Sequence, residues 1–327
     1  MNTLPDAMVS VRDGGAPDAD PASDRDGDGI PDNEDVCPDD PEPGLSDMDG
    51  DGVDDRCDNC PFNANSDQYD EDSDGVGDRC DNCFGVPNPA QENDGEINAG
   101  GEADAVGDAC DPRPTDGGDS VLYQDGFNIP SSEPLEGWGV INSMSFQAAW
   151  EIRDGKLHQT ASSTSTNAVT LLLRTDLGDL ASIVVETEAS ANSLESGNLP
   201  LDIGVVARYQ RDRKSGLACL LRRTSTEPQN LLRAYNFGPF ESFVFERALQ
   251  NPLAVDSPHR LMLAVHEMTY RCHTTDLTDG SSAELSSPDS DIGDLPAPGE
   301  VGLRTQRIPA SFSYIVVYEL GGPLLPP

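Results

Sequence analysis

Alternate aspartates recur three times in the first part of this chain, each time as Asp-x-Asp-x-Asp-Gly-x-x-Asp. The copies are Asp24, Asp26, Asp28, Gly29, Asp32; Asp47, Asp49, Asp51, Gly52, Asp55; and Asp70, Asp72, Asp74, Gly75, Asp78. Carboxylates at alternate positions of a tight loop converge on one point, and glycine at the sixth position permits the sharp turn this needs. A backbone carbonyl is expected to join them from the seventh position, at Ile30, Val53 and Val76. Oxygen-only ligands select a hard cation, and a flexible loop of high coordination suits calcium better than octahedral magnesium. A fourth copy is degenerate. Asp104 and Asp108 hold the third and last acidic positions, but Gly100 replaces the first Asp, Glu102 the second, and Ala105 the turn glycine. An altered, weakened site is expected there.

The loops keep register with cysteines. Cys37, Cys60 and Cys83 are spaced by 23 residues, as are Cys57 and Cys80, while Cys110 follows after an insertion of seven. Short units at a fixed period stack into an array because none can bury a core alone. Glu34 stands where the first loop would have a closing cysteine, and Arg113 stands where the last would have an opening one. Sequential bridging, Cys37–Cys57, Cys60–Cys80 and Cys83–Cys110, accounts for both ends. Zinc is the alternative, since Cys57-Asp-Asn-Cys60 and Cys80-Asp-Asn-Cys83 have the two-residue spacing of zinc ligands.

Sixty acidic against 20 basic residues give a net charge of -40, which argues against nucleic acid or an anionic membrane surface as partner. No apolar run approaches a transmembrane segment. More than half of the acids precede Ser120, in a stretch too poor in apolar residues to fold around a hydrophobic core. A cysteine-dense stretch of this kind implies an oxidising compartment. The N-terminus has no signal-peptide pattern, its best apolar run being Ala7-Met8-Val9, so an export signal is expected outside this chain. Residues 1–19 have the composition of a flexible tether.

The unit Cys60-Pro-Phe-Asn-Ala-Asn-Ser-Asp-Gln-Tyr-Asp-Glu-Asp-Ser-Asp-Gly-Val-Gly-Asp-Arg-Cys80 and the segment Asp24-Arg-Asp-Gly-Asp-Gly-Ile-Pro-Asp32 resemble thrombospondin type 3 repeats almost position for position. The resemblance covers residues 20–115. It implies a calcium-packed, disulfide-stapled stalk with little regular secondary structure, in secreted or surface proteins often linked to adhesion. The sequence departs from the pattern in the fourth loop, and at Glu42 and Leu45, which replace the Asn65 and Gln68 of the next unit.

Residues 120–321 read as all-β. Strand-like runs at 169–173, 183–187, 203–209, 217–222, 243–247, 261–266 and 312–318 are separated by Gly, Pro, Ser, Asn and Asp clusters. Asp154-Gly155 between two alternating runs marks a hairpin. The whole chain is therefore mostly β: an irregular repeat stalk, then an antiparallel two-sheet sandwich or jelly roll, and a tail at 322–327. Gln124-Asp-Gly-Phe127, Gly137-Trp-Gly139, the 299–305 segment and the 310–318 segment together resemble the concanavalin-like (laminin-G-like) jelly roll. That resemblance implies first and last strands that pair, and binding of carbohydrate or protein; some members are glycoside hydrolases.

Catalytic groups are scarce. Glu186 and Glu188 alternate on one strand, as the carboxyls of a glycosidase could. Hydrolases of this fold carry Glu-x-Asp-x-x-Glu, however, and here Glu188 replaces the Asp and Ala191 the last Glu. The pair is expected on the solvent face of a half-buried strand. Arg208, Arg211, Arg213, Lys214, Arg222 and Arg223 form the one basic concentration, suited to an acidic glycan or simply to a solvated turn. Cys219 and Cys272 are expected to bridge neighbouring strands. The functional expectation is an extracellular or cell-surface protein that is not an enzyme. It binds several calcium ions and a carbohydrate or surface-protein ligand. A secreted glycoside hydrolase and a plain structural spacer are the alternatives.

Overall fold

The computed structural model describes residues 23–32, 37–39, 41, 46–128, 136–142, 150–161, 168–194, 200–224, 230–238, 244–286 and 295–324. The expected tether at 1–19, and Glu34, Glu42 and Leu45, lie outside them. The chain divides into two compact units, Met1–Tyr69 and Asp70–Pro327.

The first unit consists of turns and bends, stapled by Cys37–Cys57. Among the described residues its buried apolar side chains are Cys37, Val53 and Cys60, so polar side chains do the work of a core. Asn59 donates its amide to Gln68 Oε1 at 2.9 Å, and Gln68 Nε2 donates to Asp58 Oδ1 at 2.8 Å. Asn65 Nδ2 donates to Asn59 Oδ1 at 2.6 Å, and the Asn65 amide reaches Asp51 Oδ2 at 2.7 Å. The second unit begins with the same network 23 residues on. Asn82 N donates to Gln91 Oε1, Gln91 Nε2 to Asp81 Oδ1, Asn88 Nδ2 to Asn82 Oδ1, and Asn88 N to Asp74 Oδ2. A repeated, part-buried hydrogen-bond network of this kind specifies one arrangement of the chain with little apolar packing.

One short helix, α1 (Gly95–Asn98), occupies the seven-residue insertion. The strands are β1 (Ser120–Asp125), β2 (Trp138–Asn142), β3 (Trp150–Arg153), β4 (Lys156–Gln159), β5 (Val169–Arg174), β6 (Ile183–Ala191), β7 (Leu201–Gln210), β8 (Ser215–Arg223), β9 (Asn230–Phe237), β10 (Val244–Ala248), β11 (His259–His266), β12 (Thr269–Asp276), β13 (Ser282–Ser286), β14 (Glu300–Gln306) and β15 (Ala310–Glu319). They form two antiparallel sheets. One runs β13-β12-β11-β6-β15-β4-β3, with β1 beside β15; the other runs β10-β9-β8-β7-β14-β5-β2. The expected pairing of first and last strands is present, Ser120 lying opposite Glu319. The expected hairpin turns through Asp154 (φ 52°) and Gly155 (φ 67°), both left-handed as a type I′ turn requires.

Between the sheets lies a single core of alternating residues, among them Leu172, Val185, Val205, Leu217, Leu232, Leu263, Leu303 and Val317. Cys219 and Cys272 are bridged, and both are fully buried in this core. The bond does not join neighbouring strands. Cys219 is in β8 of the seven-stranded sheet and Cys272 in β12 of the other, so the bridge ties sheet to sheet. Among the described residues no helix is long and apolar enough to cross a membrane.

Candidate metal centres

Each aspartate loop is drawn together by its own backbone. In the first, Gly27 N and Gly29 N donate to Asp24, Asp28 N to Asp26, and Ile30 N to Asp28. The second repeats this with Gly50, Gly52, Asp51 and Val53 on Asp47, Asp49 and Asp51. In the third, Gly75 N donates to Asp70, Asp74 N to Asp72, and Val76 N to Asp74. The turn glycines have φ of 95°, 99° and 94°, the conformation for which glycine stands at the sixth position.

The result is convergence. One carboxylate oxygen from each of Asp24, Asp26 and Asp28 lies within 4.8 Å of the others, and the same holds for Asp47, Asp49, Asp51 and for Asp70, Asp72, Asp74. Each triad includes a buried oxygen with no hydrogen-bond partner, Asp28 Oδ2, Asp49 Oδ2 and Asp72 Oδ2. A buried, unpartnered carboxylate among like charges is costly unless a cation completes it. Burial first, then the charges of Asp81, Asp74 and Asp70, hold the Asp72 carboxyl up at about 7. Burial and the charges of Asp51, Asp58 and Asp47 raise that of Asp49. These donor sets fit calcium. The peptides of Ile30, Val53 and Val76 are held to the triads by the hydrogen bonds their N–H groups donate to Asp28, Asp51 and Asp74.

The last aspartate of each loop is placed differently. Asp32, Asp55 and Asp78 lie outside the triads and accept the amides of Arg25, Met48 and Glu71 at 2.9, 2.8 and 2.8 Å, so that they close the loop. In the fourth loop Asp104 groups with Glu96 and Asp111, while Asp108 accepts the amides of Asp94 and Gly95. Glu102 is not in that group. The alternating-Asp template has no place for Glu96, because a helix inside the insertion supplies it.

Residues after Glu71 also cover one face of the sandwich. Cys83, Phe84, Val106 and Cys110 pack with Val184, Ala264, Tyr314, Val316 and Tyr318 on the outer face of the sheet containing β6. Glu186 is on this face, but it is 1% exposed rather than solvent-facing. Its Oε2 accepts from Arg260 Nη2 at 2.7 Å and its Oε1 from the Tyr314 hydroxyl at 3.0 Å. Glu188 accepts from Ser313 Oγ at 2.7 Å, and Lys156 Nζ lies 3.8 Å away.

The opposite outer face, on the seven-stranded sheet, gathers guanidinium groups and aromatic rings. Arg233 and Arg304 lie 4.5 and 5.3 Å from the Tyr235 ring centroid, and Arg304 lies 5.1 Å from that of Phe237. Tyr209 stacks on Phe237 at 6.0 Å. Arg222 Nε is 3.5 Å from Asp202 Oδ1, while Arg222 Nη1 and Arg304 Nε are buried without a hydrogen-bond partner. The basic concentration seen in the sequence is not preserved as a patch. Arg208 is buried and donates to the carbonyls of Glu267, Pro296 and Ala181, and Arg211 pairs with Glu300. Arg222 pairs with Asp202 and Glu246, and the guanidinium groups over the rings are those of Arg233 from β9 and Arg304 from β14.

Residues 22–45, 46–68 and 69–91 each match the thrombospondin type 3 repeat. They are thrombospondin type 3 repeats. Repeats of this kind are known to bind calcium and are typical of extracellular proteins. No curated protein matches the chain. Among solved structures, the chain is similar to the CBM2 module of Lactobacillus casei BL23 phage J-1 evolved Dit (10% identity, 63% of this chain and 98% of that one, TM-score 0.47). It is also similar to SCLam, a non-specific endo-β-1,3(4)-glucanase of family GH16 (12%, 62% and 91%, TM-score 0.43). A third is Bacteroides ovatus xyloglucan PUL GH43B (16%, 60% of this chain, TM-score 0.42), of which this chain spans only 39%. The likeness is one of strand arrangement alone.

Proposed function

We propose that this is an extracellular or cell-surface calcium-binding protein that acts by adhesion or ligand binding, with the repeats as a calcium-rigidified stalk and the sandwich as a non-catalytic head. The observation that carries the reading is the set of three convergent Asp triads, each built by the same backbone hydrogen bonds and each with a buried, unpartnered oxygen. A carbohydrate rich in hydroxyl and carboxylate groups is the ligand class that the head suits. Support comes from the outer face of the seven-stranded sheet, where Arg233 and Arg304 lie over the rings of Tyr235 and Phe237, which are themselves 5% and 9% exposed. Aromatic faces and guanidinium groups together are suited to polyhydroxylated, anionic rings.

The non-catalytic reading is supported by the commitment of Glu186. A glycosidase carboxyl must be free to give or take a proton at the sugar bond. Glu186 instead holds Arg260 and Tyr314 beneath side chains of the repeat region. The test is a glycan array probed with the full chain, with and without calcium, run beside hydrolysis assays on the same glycans. Saturable binding to uronate-containing glycans that is lost in Tyr235→Ala and Arg304→Gln supports the proposal. Binding to no glycan leaves the spacer reading in its place, and turnover abolished by Glu188→Gln leaves the hydrolase reading.

A further inference from the structure

At one end of the sandwich the inward-facing positions turn polar. On β11 the alternation of Leu263 and Leu261 continues to His259, and on β8 that of Cys219 and Leu221 continues to Arg223. The two residues belong to different sheets and line one pocket between them. We propose that this pocket binds a short-chain aliphatic monocarboxylate, its carboxylate held by Arg223 and His259 and its chain laid against the apolar wall.

The wall is built by pairing. Ala189 lies opposite His259 in one sheet and Leu201 opposite Arg223 in the other, joined by Ile203, Leu221, Leu253 and Ile308. All six are buried. Leu194, Arg223 and Ser257 are half-buried and Ala254 is exposed, so the pocket opens to solvent past them. The rim is fixed: Asp256 N donates to the Ala191 carbonyl at 2.9 Å, and Asn192 Nδ2 to Asp256 Oδ1 at 3.1 Å. The innermost space is narrow, with room for about one water-sized group, which suits a slim, unbranched molecule.

The polar groups specify what that molecule carries. His259 is 5% exposed, and neither of its ring nitrogens has a hydrogen-bond partner. An imidazole keeps at least one N–H, and burying it unpaired is costly. Asp276 Oδ2 is 4.0 Å from Nε2, beyond hydrogen-bond length. Arg223 has neither ion pair nor hydrogen bond among the described residues. Asp202, beside Leu201, turns its carboxylate to Arg222, 3.5 Å away, and so leaves Arg223 uncompensated. Imidazole and guanidinium both donate, so the partner they can share is an acceptor, and the guanidinium favours an anion. An inorganic anion would lose its hydration against the apolar wall. A carboxylate with a hydrocarbon chain satisfies both sides of the pocket.

A second recess shares His259, but its other side chains are already engaged. Asn251 Nδ2 donates to Asp279 Oδ2 and Ser281 Oγ, Thr274 Oγ1 donates to the Arg260 carbonyl at 3.0 Å, and Asp276 Oδ1 accepts from Thr278 N at 2.9 Å. The pocket with Arg223 is therefore the one that lacks a partner.

The site lies between the sheets, away from Tyr235 and Arg304 on the outer face, so it stands or falls apart from the carbohydrate reading. Isothermal titration of the full chain in saturating calcium, with sodium butyrate as the probe, should show a single saturable site. Butan-1-ol and sulfate are the controls, one with only the chain and one with only the charge. Arg223→Gln should weaken butyrate binding about ten- to a hundredfold, the range for a charge-assisted hydrogen bond. Arg213→Gln, on an exposed turn, should leave it unchanged. His259→Leu should abolish binding and also raise the midpoint of unfolding, because it removes a buried unpaired group. A loss of binding there is then not a loss of fold. No saturable butyrate binding overturns the proposal. Equal binding of butan-1-ol, which marks an apolar void only, overturns it too, as does equal binding of sulfate, which marks a surface guanidinium only. Unchanged butyrate affinity in both Arg223→Gln and His259→Leu places the carboxylate elsewhere and has the same result.

Discussion

Phe84 stands edge-on to Tyr314, ring centroids 6.2 Å apart, and the Tyr314 hydroxyl donates to Glu186. One aromatic side chain from the third repeat thereby packs on the tyrosine that holds Glu186, the first of the two alternating carboxylates of β6. The next residue, Gly85, has no side chain for a plain reason. A Cβ there would lie 2.6 Å from the Tyr314 ring.

Gly85→Val should therefore displace the repeat from the sheet. Overpacking of this kind costs about 1–3 kcal/mol. Chemical denaturation of the full chain should register the loss, and limited proteolysis should cut 81–92 faster than in wild type. Wild-type stability and an unchanged cleavage pattern would show that the packing of Phe84 and Gly85 on the sheet contributes nothing.

The triads make a prediction with two opposite signs. Without calcium, three converging carboxylates repel; with calcium, they are the ligands. Asp72→Asn should stabilise the calcium-free chain and destabilise the calcium-saturated one, relative to wild type in the same buffer. Half-saturation of the wild-type sites is expected at about 10⁻⁴–10⁻³ M calcium, as in extracellular modules. Thermal unfolding across a calcium titration checks this, the two curves crossing if the idea is right. A variant destabilised equally at every calcium concentration would mean that Asp72 has only a packing role.

Much of this architecture was readable from residues and spacing. The triads and the strands follow from local patterns, alternate aspartates around a glycine and alternating apolar residues between turn clusters, which a linear chain displays directly. What was not readable depends on distance along the chain. The repeat units are stabilised by Asn59, Asn82, Asp58 and Asp81, whose 23-residue period was visible but whose amide bonding was not. Glu96 reaches its site only because the insertion folds back, and no template of alternating positions contains it. Likewise Arg233 and Arg304 meet over Tyr235 only once β9 and β14 share a sheet. The sheet-to-sheet reach of Cys219 is another such case, since composition implies a bridge but not which strands it joins.

Stability should fall with pH in the mildly acidic range. His259 and His273 have pKa values lowered first by burial. Around His259, Asp276 and Asp279 act in the opposite sense; around His273, Glu284 and Glu186 raise the value while Arg260 and Arg271 lower it. A histidine whose folded pKa lies below its ordinary 6.5 binds its proton more readily when unfolded. The unfolded state therefore gains protons first as pH drops, and stability is lost below about 6.5 by up to ~1.4 kcal/mol per pH unit and group. In saturating calcium, wild type should lose melting temperature between about pH 7.5 and 5.5, and His259→Asn/His273→Asn should lose less. Parallel profiles would assign the effect to other groups.

Glu186 offers the sharpest contrast between a structural and a catalytic carboxylate. Its charge is shared with Arg260 at 2.7 Å on a largely covered part of the sheet, where Glu186 is 1% and the partner side chain 24% exposed. Removing one member of a buried pair leaves the other uncompensated, at a cost of about 3–5 kcal/mol. Glu186→Gln should therefore lower the midpoint of unfolding sharply. Glu186→Gln/Arg260→Met, which removes both charges, should recover much of the loss, because a well-packed apolar replacement of a buried pair is often neutral. Glycan binding should survive in the double variant, since the aromatic face with Tyr235 and Arg304 lies on the other sheet. A catalytic Glu186 would behave in the reverse way: little change in stability, and loss of a hydrolytic activity that the Arg260 substitution cannot restore. Unfolding curves and a hydrolysis assay on the same three proteins separate the two outcomes.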